Sequence, residues 1–119
     1  MLNADEQQSS LAQAELAAAE LVAIALPSLC ELVWVLSQGY KIAFDEIADA
    51  VRRLTNAANV VVNRPAIEAG LALLDAGGDF ADGVIVYEGR WLGGETFVSF
   101  EKKAVKHLTA QSKAARLLA

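Results

Sequence analysis

Short apolar runs alternate along this chain with segments of helical periodicity, and that alternation restricts the fold more than any other feature. Leu21 to Leu26 reads as a buried strand ended by Pro27, and Asn59 to Val62 as a β-branched strand. Thr96 to Phe100 reads as a further short strand. Between these runs, Asp5 to Glu20 is rich in good helix formers and Ser28 to Gly39 reads as a helix with glycine at its end. Asp45 to Asn56 carries Ile47, Val51 and Leu54 on one helical face, and Pro65 to Ala76 does the same with Ile67, Leu71 and Leu74. Asp79 to Leu92 reads as a helix despite Gly83 and Gly89, and Glu101 to about His107 as the last, before a basic tail ending in Leu117 and Leu118. Strands alternating with helices predict an α/β fold with a mainly parallel central sheet flanked by helices. A chain of 119 residues without repeats or linkers suits a single domain over residues 1–119.

The most apolar stretch, Leu21 to Tyr40, is interrupted by Pro27, Ser28 and Glu31, so it falls short of the roughly 20 apolar residues of a membrane span. The acidic, polar start lacks the basic region of a signal peptide, and a cytoplasmic location is the expectation. Cys30, the single cysteine, forms no internal disulfide and reads as a small core residue. A net charge of −5 disfavours tight, non-specific binding to polyphosphate. A nucleic-acid substrate would require cations at an acidic site and local basic rims, for which Arg52, Arg53, Lys102, Lys103 and Lys106 are candidates.

Four carboxylates stand out. Glu31 is the only charged residue between Leu21 and Tyr40, and reads equally as a site residue or as half of a capping box with Ser28. Asp79 and Asp82 lie three apart at a helix start, where capping and the helix dipole already account for such acids. Glu101 follows a strand, at the edge where parallel sheets place ligands, although an acid opening a surface helix is commoner. Trp34 and Trp91 sit among apolar neighbours and read as core or subunit packing before base stacking, and His107 reads as a surface or helix-end residue. No phosphate loop, GxGxxG or hydrolase serine motif is present to support a small-molecule enzyme.

The order of LPSLCELVWVL, GGDFADGVIV and ETFVSFEKKA resembles the PIN domains of VapC-type ribonuclease toxins, in consistent spacing over nearly the whole chain. The resemblance implies a PIN-like three-layer fold and a magnesium- or manganese-dependent endoribonuclease, neutralised by a cognate antitoxin. It places Glu31, Asp79, Asp82 and Glu101 as metal ligands, with Glu31, Asp82 and Glu101 catalytic. Glu101 stands where the family has an aspartate, one methylene shorter. The family also opens with a strand ending in a catalytic aspartate, to which nothing in MLNADEQQSS corresponds; Asp5 matches a helix-start acid instead. Two expectations follow: an RNA-cleaving toxin, or a degenerate homologue retaining only antitoxin-binding or dimer contacts. The homodimer is expected to form through the helices holding Trp34 and Asp45 to Asn56.

Overall fold

The computed structural model describes residues 4–118, and its helices and strands alternate as the sequence predicts. Helix α1 (Ala4–Ala18) is followed by β1 (Val22–Ala23) and α2 (Leu26–Trp34), which runs into a π-helical turn at Val35–Gly39. Then come α3 (Phe44–Thr55), β2 (Val60–Val61), α4 (Arg64–Asp75) and α5 (Phe80–Trp91). Strand β3 (Phe97–Ser99), helix α6 (Lys102–Ala110) and strand β4 (Ala115–Leu117) complete the order. No helix among the described residues is long and apolar enough to cross a membrane.

Two boundaries differ from expectation for one reason. Pro27 does not end a strand; it occupies the first turn of α2, where its missing N–H has no helical partner to lose. The first strand is therefore confined to Val22–Ala23, and α2 is capped at Ala25, so Ser28 and Glu31 form no capping box. The segment read as a basic tail contributes β4, whose three residues are too few to show periodicity and gain their strand character from pairing with β3.

All strand pairing is parallel, as expected, but it is divided among the described residues into two pairs instead of one central sheet. β1 aligns Val22 with Val60 and Ala23 with Val61 of β2, and β3 aligns Phe97, Val98 and Ser99 with Ala115, Arg116 and Leu117 of β4. Val22 and Ile24 donate to Asn59 and Val61 carbonyls, while Phe97 donates to Ala114 and Ser99 accepts from Leu118. In a parallel ladder alternate residues turn their backbone groups to opposite sides. Ala23 and Val98 thus turn theirs away from their partners, toward the open outer edges of β1 and β3.

The core lies between the helices. Leu29 and Val33 of α2, Ile47 and Val51 of α3, Ile67, Leu71 and Leu74 of α4, and Phe80 and Val84 of α5 form one buried cluster. The outward face of α3 is charged, with Asp45, Glu46, Asp49 and Arg53 exposed, while Leu32 and Trp34 of α2 are exposed and apolar. α1 has no buried residue; the Asn59 side-chain amide holds its end by donating to the Leu16 and Ala19 carbonyls.

The closest packing joins α4 to α5. Helix α4 ends in a Schellman turn, in which Gly78 N–H donates to the Leu73 carbonyl and Gly77 N–H to that of Leu74. Gly77 takes φ +89°, which only glycine adopts without strain. The chain then returns so closely that a Cβ on Gly83 would lie 2.4 Å from the Ala69 carbonyl oxygen. A Cβ on Gly89, on the same helix, would meet nothing within 4 Å. Gly83→Ala is therefore expected to destabilise the fold by about 1 to 3 kcal/mol through overpacking. Gly89→Ala should stabilise it by roughly 0.5 to 1 kcal/mol by restricting the unfolded chain. Urea unfolding of the two variants checks both signs; equal effects would mean that the two helices are not in backbone contact.

Candidate active site in an acidic cavity

The turn that closes α4 also delivers the first acid of the site. Asp79 follows Gly77 and Gly78 and caps α5, its Oδ1 accepting from Ala81 N–H at 2.7 Å. Asp82 lies three residues further on, in the first turn of the same helix. Glu101 arrives from another direction, between the end of β3 and the start of α6, with its N–H donated to the Ser99 hydroxyl at 3.0 Å. Its side chain makes no capping hydrogen bond. These three carboxylates line a cavity of about 250 Å³ together with Trp34, Lys103 and His107.

The electrostatics single out Asp82. Its carboxyl is pushed up from 3.8 to about 6, first by burial and then by the negative charges of Asp79 and Glu101. The first turn of a helix favours a carboxylate, so here burial and like charge outweigh the dipole. Among the described residues none of the three carboxylates forms an ion pair. Cys30 lines the same cavity, half-buried, and its thiol is pushed up by burial and then by Asp79 and Glu88. It is held as the thiol, which makes it a poor nucleophile.

Of the four acids expected at the site, the fold brings Asp79, Asp82 and Glu101 together and leaves Glu31 apart. Glu31 is exposed and does not line the cavity. Leu29 and Val33 are the buried residues of α2, and Glu31, two positions from each, falls on the other side of the helix. Among the basic candidates Lys103 lines the cavity, whereas Arg52 is engaged with Asp75 at 2.6 Å. Trp34, read from sequence as core or subunit packing, and His107, read as a surface or helix-end residue and found in the last turn of α6, both line this cavity. The available signal for His107 was its place three residues after Ala104 and one before Leu108, which sets it on the flank of the face that α6 buries.

Three carboxylates offer the hard oxygen donors that magnesium and manganese prefer. Among the described residues, however, no three His, Cys, Asp or Glu side chains are close enough to form a ready ligand group. The donor set fits an ion held by one or two carboxylates and otherwise hydrated, as magnesium commonly is. Comparison with protein-family models, with curated proteins and with solved structures finds no match.

Asp82 gives stability a testable dependence on pH. Because its folded pKa exceeds the unfolded value, the folded state binds more protons between about 4 and about 6, and stability falls as pH rises through that window. Asp82→Asn removes the charged form. Its thermal midpoint is expected to gain on the wild type progressively from pH 4 to pH 6.5, as scanning calorimetry would record. A constant difference over that range would show that Asp82 titrates like an exposed acid.

Proposed function

We propose that this chain is a PIN-type toxin component, a magnesium- or manganese-dependent endoribonuclease restrained by a protein antitoxin. The observation that carries the reading is the meeting of Asp79 and Asp82 with Glu101 in one cavity, beside Lys103. A bound divalent ion supplies Lewis-acid chemistry at a phosphodiester. The chain's own residues supply the rest: Asp82 and Glu101 present carboxylate oxygens from separate elements, and Asp79, fixed by its capping bond, adds negative charge beside Asp82. Lys103 brings a cation to the same cavity, where a phosphate oxygen needs one. The acidic cavity repels RNA until a cation is held there, so metal and substrate binding are coupled. An antitoxin segment bearing a cationic side chain suits the same carboxylates. A second copy of the chain, and action in the cytoplasm, belong to the same proposal.

A degenerate interaction protein is the second reading, and two observations favour it. Glu31 stands outside the cavity, and β1 and β3 each keep an open edge at Ala23 and Val98. The PIN resemblance implies a further parallel strand near the middle of the sheet, ending in a metal-binding aspartate. Manganese-dependent cleavage of a structured RNA separates the two readings. In the first reading residues 1–119 cleave it and Asp82→Asn does not; in the second neither does. Asp82-dependent cleavage would remove the second reading, and a folded chain that stays inert with manganese would remove the first.

A further inference from the structure

The cavity has an aromatic wall opposite in character to its acids. Trp34 ends α2 and is 62% exposed, and Phe44 opens α3 and is 39% exposed; both line the cavity that holds Asp79, Asp82 and Glu101. Trp34 is therefore not core packing within this chain. The π-helical turn that directly follows it brings Ser37 and Gln38 to the same cavity, and such turns occur often at functional sites. The Gln38 amide donates to the Ser37 hydroxyl, leaving its carbonyl oxygen as an acceptor. Flat apolar rings, hydrogen-bonding groups, carboxylates suited to a cation and a lysine thus border one space of about 250 Å³.

We infer that Trp34 and Phe44 are the base-stacking wall of this site, and that it takes an unpaired RNA nucleotide whose phosphate lies toward Lys103 and the carboxylates. The inference rests on the RNA-cleaving reading and adds to it the residues that hold the base. A base in a duplex has both faces covered by its neighbours, so an aromatic side chain gains little from it; an unpaired base offers a free face. The space suits one flat ring system and is too small for a helix. Trp34 acts by stacking, which any of the four bases accepts, so the selectivity is for single strand over duplex more than for sequence.

Fluorescence anisotropy with a short single-stranded RNA and with an RNA duplex, in magnesium, tests this on the whole chain. Trp34→Ala is expected to weaken single-strand binding on the order of 10- to 100-fold, the effect of losing one stacked base. Trp34→Phe should keep most of the affinity, and the duplex should bind weakly to every variant. In a Trp91→Phe chain, where Trp34 is the only tryptophan, single-stranded RNA should quench the emission, which keeps the test independent of how Trp34→Ala folds. Wild-type affinity in Trp34→Ala, or no quenching on binding, overturns the stacking wall while leaving the RNA reading intact. Duplex binding as tight as single-strand binding overturns it as well. A Trp34→Ala defect that tracks loss of a dimer in light scattering, and disappears at higher protein concentration, reassigns Trp34 to a subunit contact. No binding of either RNA by the wild type removes the RNA reading itself, and the inference with it.

Discussion

Helix α5 lies against α4 with no room for a side chain at Gly83, and the position of the acidic cavity depends on that contact. The Ala69 carbonyl and the Gly70 backbone stand where a Gly83 Cβ would project, and the Phe80 ring fills the space over Gly70. Backbone contact of this kind admits one depth and one crossing, since any slide of α5 drives a neighbouring residue into α4. The Schellman turn at Gly77 and Gly78 fixes the start of α5 at the same time. Asp79 and Asp82 are thus held from two sides, by a turn that only glycine adopts easily and by a helix pair that only glycine allows so close.

Once α5 is fixed, the charge pattern follows. Ala104 and Leu108 pack α6 into the interior, which leaves Lys103 and His107 facing the acids and sets Glu101 at the end of β3 near Asp82. Burial and the neighbouring negative charges then act on Asp82 together. Such an arrangement costs stability at neutral pH and is relieved by a cation. That cost, carried by Asp82, is what distinguishes this acid from an ordinary carboxylate in the first turn of a helix. Asp79 has two parts in this: its capping bond orients it, and its charge bears on its neighbour.

Helix positions were legible in the sequence because their periodicity is local. Ile47 and Val51 of α3, and Ile67, Leu71 and Leu74 of α4, are buried as their spacing predicts. What was not legible depends on neighbours distant in the chain. Gly83 reads as a tolerated flaw in a helix, and only the α4 backbone makes it a requirement. Glu31 reads as a charge in a core surface because its neighbours are apolar, yet Leu32 and Trp34 are exposed and α2 buries only Leu29 and Val33. β4 is three residues long and exists through its register with β3. Asp79, Asp82 and Glu101 carried their signal in order and type, but the raised Asp82 needed the third dimension, since Glu101 is nineteen residues away in sequence.

Asp82 is a half-buried acid among like charges, and the proposed function needs a divalent cation to relieve them. Its side-chain carboxyl carbon can be followed by NMR through a pH titration, with and without magnesium. The expected midpoint is about 6 without the metal. Magnesium should move it downward, because a bound cation favours the ionised form. A midpoint near 4 that magnesium leaves unmoved would contradict the account and return Asp82 to an ordinary place in the first turn of a helix.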